Sequence, residues 1–354
     1  MIYKKFIRPV LFKFEPEFIH NLTLLAGRVA GFTRVSRLLR GLFVFKDERL
    51  EQEILGIKFE NPVGLAAGFD KNAQLTGFLP DLGFGFAEIG SVTANPCKGN
   101  PKPRLHRLIK EKGIIVNYGL ANKGVEEIGE KLKGKKFRIP IGISIAKTNN
   151  PSIKGKESIE DYFKSFKKMR DIGNYLTINI SCPNAGDGRS FEDPKLLEDL
   201  LKKIQKIRKK EIIFIKVSPD LSKKNLDKII ELAGKYQLNG FVISNLSKDR
   251  KGLELGDKAR FKGGISGKIV KEKSNKMIKY VYEKTKGRFV IIGCGGVFNG
   301  RDAYEKIKAG ASLIQLITGM IYEGPGVISR INKELVRLME NRGYKNMGEV
   351  VGSN

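Results

Sequence analysis

Apolar and polar positions follow two different rhythms along this chain, and the change falls near residue 45. Before it, Tyr3, Phe6, Ile7, Val10, Leu11 and Phe14 recur at three- and four-residue spacing with Lys4, Lys5, Arg8 and Lys13 between them, which predicts an amphipathic helix. Glu15-Pro16-Glu17 closes it and opens a second, because proline suits a first helical turn and acid suits a helix N-terminus. The second helix repeats Phe18, Leu22, Leu25 and Val29 on one face; a third, opening at Thr33, carries Val35, Leu38, Leu39 and Leu42. Residues 1–45 are expected to form a small helical appendage, apolar on one side and basic on the other.

From about residue 60 short β-rich runs alternate with helical ones. Strands are predicted at Pro62–Ala67, Phe86–Val92, Ile139–Ile145, Leu176–Ser181, Ile212–Ser218, Gly240–Asn245, Phe289–Gly295 and Ser312–Thr318. Amphipathic helices such as Pro194–Lys210 and Leu226–Tyr236 lie between most of them. Strands so separated predict an α/β fold over residues 46–354, a parallel sheet closed into a (β/α)8 TIM barrel; the open doubly wound sheet is the alternative.

Composition narrows the function classes. At 354 residues, with 41% hydrophobic and 29% charged, the chain is neither disordered nor fibrous. Its apolar runs are far too short for a spanning helix, and Met1–Pro9 does not read as a secretory signal. The net charge of +28 fits nucleic acid, an anionic membrane surface or a solvated lysine coat. Lys outnumbers Arg by 47 to 19, which favours the coat, since phosphate and base readers lean on Arg forks. No nucleic-acid motif is present, so a basic nucleic-acid-binding protein is the reading of another class that the chemistry below must displace. Cys97, Cys182 and Cys294 are far apart without a C-x-x-C pair, and His20 and His106 are the only histidines, so no metal site is expected. Both histidines read as packing or surface residues.

In a barrel of this kind chemistry gathers at the C-terminal ends of the strands. Gly293-Cys294-Gly295-Gly296 and Thr318-Gly319, at the last two ends, let backbone N–H groups approach an anion, as a phosphate site requires. Tight turns alone are the other explanation. Lys216 sits within the apolar run Ile212–Val217 and needs an anionic partner: a structural carboxylate, or a ligand such as a flavin, whose reduced ring carries negative charge. Cys182 ends a strand with Asn179 and Asn184 on either side, amides able to hold a planar polar substrate; an inert buried thiol is the alternative.

Together, Gly64–Lys71, Asn179–Asn184, Lys216–Leu221, Gly263–Gly267 and Ala309–Gln315 resemble the dihydroorotate dehydrogenase family along essentially the whole chain. Phe14-Glu15-Pro16-Glu17 with His20 is similar to the membrane-associating helices of its class 2, quinone-reducing branch. The resemblance implies an FMN enzyme that oxidises (S)-dihydroorotate to orotate in pyrimidine biosynthesis, peripheral on the cytoplasmic side of the cell membrane. It implies that Ala67, Gly68, Ser91, Ser144, Asn179, Lys216, Ser244, Gly267, Gly296 and Thr318 hold FMN. Lys71, Asn117, Asn179, Asn184 and Asn245 would bind substrate, and Cys182 would act as the base, with Lys216 beside the flavin. Cys182 stands where class 2 usually has Ser and class 1 has Cys, so a class 1-like dihydroorotate dehydrogenase, or a related dihydropyrimidine dehydrogenase acting on dihydrouracil, with a soluble acceptor is the alternative. The substrate loop, Asn117-Tyr118-Gly119-Leu120, lacks the family's usual Arg, and Ser144, Leu246 and Ile317 replace a customary Asn, Thr and Tyr.

Overall fold

A computed structural model of the protein describes residues 2–31, 33, 35–181 and 191–353. The chain opens with α1, a wide turn over Tyr3–Ile7 continued by Arg8–Leu11, then α2 (Pro16–Gly31) and α3 (Val35–Phe43). A hairpin of β1 (Gln52–Ile54) and β2 (Ile57–Phe59) leads to β3 (Val63–Leu65) and β4 (Phe86–Val92); β5 (Leu105–Leu108) and β6 (Gly113–Val116) then precede α4 (Gly124–Leu132). Strand and helix alternate from there: β7 (Ile141–Ile145), α5 (Lys156–Met169), β8 (Tyr175–Asn179), α6 (Pro194–Gln205), β9 (Ile213–Val217), α7 (Lys223–Lys235) and β10 (Gly240–Ile243). The chain finishes with β11 (Gly264–Gly267), α8 (Lys271–Thr285), β12 (Val290–Cys294), α9 (Gly300–Lys308), β13 (Leu313–Leu316), α10 (Thr318–Glu323), α11 (Val327–Glu340) and α12 (Met347–Val350).

β3, β4, β7, β8, β9, β10, β12 and β13 close into a parallel barrel, one strand for each of the eight predicted runs. Alternation within each strand sorts its side chains. Ala87, Ile89, Leu176, Ile178, Ile215 and Ile291 join the large core shared with the helices. Phe86, Tyr175, Phe214, Val242, Ile292 and Leu313 form a second cluster that, with Phe59 of the hairpin, fills the barrel. Gly64 and Gly142 make room for it: a Cβ at either would stand 2.4 Å from the Phe86 ring or 2.1 Å from the Tyr175 ring. Two residues further along each strand the interior turns polar, with Glu88, Thr177, Lys216 and Gln315. The site is therefore built on a plugged floor, not over a pore.

The predicted helices shift at their ends. Ser222 caps α7, accepting from the N–H of Asn225, so the helix starts three residues before the predicted Leu226. The antiparallel sheet β5–β6–β11, inserted after β4 and after β10, is not predicted by the pattern. The appendage is anchored by its polar groups. The Tyr3 hydroxyl donates to Ile321 O at 2.7 Å, Arg8 to Tyr322 O at 3.0 Å, and Lys4 pairs with Glu323 at 2.9 Å. Glu17, nearly fully buried, takes the Arg104 guanidinium in a fork, with Nη2 at 2.7 Å from Oε1 and Nε at 3.1 Å from Oε2. These contacts hold the helices over the barrel mouth while most of their large apolar residues face outward: Phe6 is 67% exposed, Phe18 55%, Leu38 67% and Leu42 65%.

Candidate active site

Four polar side chains occupy one interior layer of the barrel. Lys216 Nζ stands 3.7 Å from Glu88 Oε1, both almost wholly buried. The other Glu88 oxygen accepts from Thr177 Oγ1 at 2.8 Å and from Gln315 Nε2 at 3.3 Å. A charge at this depth is tolerated only when paired and hydrogen-bonded, and Glu88 is the partner that Lys216 required. Lys216 also lines the cavity above, so the same lysine is paired within the protein and reaches the cavity.

Above that layer the strand ends are tied by short side chains. Ser91 Oγ and Ser144 Oγ are 2.7 Å apart, and Asn179 Nδ2 donates to Ser91 Oγ at 2.9 Å. Asn245 Nδ2 reaches Asn179 Oδ1 at 3.1 Å and both Ser181 oxygens at 3.0 Å. Ser244 Oγ is buried and without a protein partner among the described residues. On the adjacent side Thr318 Oγ1 and Ser266 Oγ are 2.8 Å apart beside Gly267, Gly295 and Gly296, which have φ of +104°, +113° and +76°. A Cβ at Gly296 would meet Lys271 Cβ at 2.4 Å, so this recess requires glycine twice over, for conformation and for space.

Ala67, Gly68, Ser91, Asn179, Lys216, Ser244, Asn245, Gly267, Gly296 and Thr318 line one cavity of about 620 Å³, which continues under the appendage along Leu11, Ile19, Ala30, Leu39 and Phe43. Lys71 lines it too, 3.2 Å from His20 Nε2 and 3.8 Å from the centre of the Tyr118 ring. Desolvation, with the nearby Arg104 charge second, draws the Lys71 ammonium down to about 7. Desolvation and Lys71 together hold the His20 ring neutral, at about 2.

The family model for dihydroorotate dehydrogenase matches residues 49–339. A protein of Christiangramia forsetii named dihydroorotate dehydrogenase (quinone) is 42% identical, covering 95% of this chain and 99% of its own. One of Gloeobacter violaceus with the same name is 36% identical over 98% of this chain and 97% of its own. A crystal structure of the Eimeria tenella DHODH in complex with ferulenol superposes with a TM-score of 0.84 at 28% identity, covering 95% of both chains. The chain belongs to the dihydroorotate dehydrogenase family. It is an oxidoreductase of the (β/α)8 class, and membership implies a flavin. The residues present fit such a group: an unpartnered buried hydroxyl at Ser244, a lysine facing the cavity, and the positive-φ glycines Gly267, Gly295 and Gly296 in its lining, beside the Thr318 hydroxyl.

Of the residues that resemblance to dihydroorotate dehydrogenase singles out, Ser144 stands fully buried behind Ser91, outside the cavity wall. Asn117 also lies off the wall, its Oδ1 accepting from Asn100 Nδ2 at 3.0 Å, and Tyr118 faces the cavity instead. Cys182 and Asn184 fall outside the described residues. His106 stacks on Phe261 with ring centres 3.5 Å apart, the packing role expected of it. His20 departs from that expectation by meeting Lys71 in the cavity wall. Pattern reading also missed Glu88, Glu17 and Arg104. His20 carried a legible signal: Pro16, Ile19, His20, Thr23, Ala26, Gly27 and Ala30 form a stripe of mostly small residues at helical spacing, and it is this stripe that lines the cavity.

Proposed function

We propose that the protein oxidises (S)-dihydroorotate to orotate at the barrel mouth with FMN, and passes the electrons to a membrane quinone that enters beneath the appendage. The observation that carries this reading is one continuous cavity whose floor is polar and whose arm, between α2, α3 and the barrel, is apolar. Quinones are apolar with a polar head, and the relatives' names specify a quinone acceptor.

In this reading Ala67, Gly68, Ser91, Asn179 and Ser244 would help hold FMN, with Ser144 fixing Ser91 from behind. Gly267, Gly296 and Thr318 hold the phosphate through backbone N–H groups and a hydroxyl. When bound, FMN supplies the two-electron acceptor for the hydride leaving substrate C6. Lys216, its charge balanced by Glu88, offers a fixed cation against the ring. Lys71 supplies a cation for the substrate carboxylate, and Asn179 and Asn245 orient the ring; Asn117 and Asn184 complete the set proposed from the family pattern. Cys182 takes the C5 proton. Protein saturated with FMN is expected to bleach on anaerobic addition of dihydroorotate and recover its yellow colour with a ubiquinone or menaquinone analogue. Recovery with fumarate at equal rate, and none with quinone, would favour the soluble-acceptor branch instead.

We further infer a peripheral site on the cytoplasmic face of the cell membrane, with an anionic bilayer as partner. The outward apolar residues of α1–α3 support it, together with Lys5, Arg28, Arg37 and Arg40 around them. No helix among the described residues is long and apolar enough to cross a bilayer. Each basic residue near an anionic surface adds on the order of 1 kcal/mol, weakened by salt. Sedimentation with phosphatidylglycerol-rich vesicles is expected at low salt and to weaken at high salt. Leu38→Glu/Leu42→Glu is expected to reduce it at least tenfold without changing flavin bleaching by dihydroorotate. Unchanged sedimentation would remove this face from the membrane contact.

A further inference from the structure

Lys71 owes its surroundings to the appendage as much as to the barrel. No carboxylate among the described residues pairs with it; that of neighbouring Asp70 turns away to accept from the N–H groups of Gln74 and Leu75, at 2.7 Å each. Facing Lys71 are His20 and Glu17 from α2, Arg104 at the entrance to β5, and Tyr118 just after β6. Two cations share the Tyr118 ring: Lys71 Nζ lies 3.8 Å and Arg104 Cζ 4.7 Å from its centre. Like charges so close in a poorly solvated wall repel strongly. Glu17 offsets one of them. Its carboxylate is forked onto Arg104, 87 residues away in sequence, and Lys102 at 3.5 Å is its only other cation among the described residues.

We propose that Glu17 is a positioning residue of the substrate site: by neutralising Arg104 it keeps the Lys71 ammonium available to the substrate carboxylate, so that docking of the appendage completes the charge balance of the barrel mouth. The inference rests on Lys71 binding the substrate carboxylate, as proposed above. Its physical sense is simple. Without the Glu17 charge, Arg104 acts on Lys71 uncompensated and the ammonium gives up its proton at lower pH. Without the Arg104 charge, the buried Glu17 carboxylate favours the ammonium and the proton is held to higher pH. A purely structural anchor between α2 and β5 predicts no such opposition of sign.

The experiment is orotate binding to the oxidised, FMN-loaded full chain, followed by perturbation of the flavin spectrum from mildly acid to mildly alkaline pH. Affinity of the wild type is expected to fall as pH rises through the Lys71 titration. Glu17→Gln should move that fall to lower pH by about one pH unit, read as about a tenfold loss of affinity on the alkaline side and recovery in acid. Arg104→Gln should move it the opposite way, and Glu17→Gln/Arg104→Gln should return it near the wild-type position. Loss of affinity by one factor at every pH, or shifts of the same sign in both single variants, would overturn the proposal. If Glu17→Gln fails to retain flavin, the upward shift in Arg104→Gln and its reversal in the double variant decide the matter. Lys71→Met separates the two levels of the argument. Undiminished orotate affinity there would dismiss Lys71 from the substrate site; weakened affinity there, with no shift in the Glu17 and Arg104 variants, would dismiss the coupling alone.

Discussion

Lys216→Met is expected to lose both bound flavin and about 3–5 kcal/mol of stability, because it leaves the Glu88 carboxylate charged, buried and unpaired inside the barrel. The two losses have different origins and can be pulled apart. In Lys216→Met/Glu88→Gln no charge is stranded, and an amide at position 88 still accepts from Thr177. Thermal unfolding should therefore return close to wild type. Turnover of dihydroorotate should not, since the cation that faces the cavity is still missing. A single variant that unfolds at the wild-type temperature would show that the pair contributes nothing net. A double variant with normal turnover would reduce Lys216 to a partner for Glu88.

Cys182→Ala is expected to slow flavin reduction by dihydroorotate about 10²- to 10⁴-fold, or roughly 3–5 kcal/mol in activation free energy, while FMN and orotate still bind. The size follows from the ordinary contribution of a positioned general base. A thiol has a reference pKa of about 8.5, so a thiolate fraction exists near neutrality without a relay. Cys182→Ser should fall between, because a hydroxyl is a far weaker acid and depends on groups that help it lose its proton. Stopped-flow reduction is the deciding measurement. A wild-type rate in Cys182→Ala would remove this residue from the mechanism.

The barrel was legible in the sequence because each of its strands is buried on both sides, which writes a continuous apolar run such as Ile212–Val217 or Phe289–Cys294. The sheet β5–β6–β11 was not, since Gly264–Gly267 pairs with Gly113–Val116 across a long stretch of chain that no local periodicity records. The same distinction separates Lys216 from Glu88. A lysine inside an apolar run announces a need for a partner, but which carboxylate meets it depends on how the sheet closes, and β4 and β9 are not neighbours in the barrel. In the appendage the repeating large residues marked one apolar face of each helix, the face expected to meet a membrane. The structure turns that face out and sets the small-residue stripe of α2 against the barrel, where Leu75 and Phe78 come within about 3 Å of a Cβ placed on Gly27. Periodicity identified the two faces without saying which one the barrel would take.

The anchoring of α1 to the segment after the last barrel strand also sets an order of events during synthesis. Tyr3 and the Ile321 carbonyl that receives its hydroxyl are 318 residues apart. At roughly 5–20 residues per second, the appendage leaves the ribosome on the order of 15–60 s before its dock exists. During that interval α2 lacks the wall that Leu24 and Gly27 pack against, while Phe6, Phe18 and Leu38, exposed in the finished fold as well, are already free to meet the anionic bilayer proposed above. A nascent chain held there would finish its barrel already at the membrane, so that translation itself, and not a later search by the folded enzyme, would bring the quinone arm to its lipid.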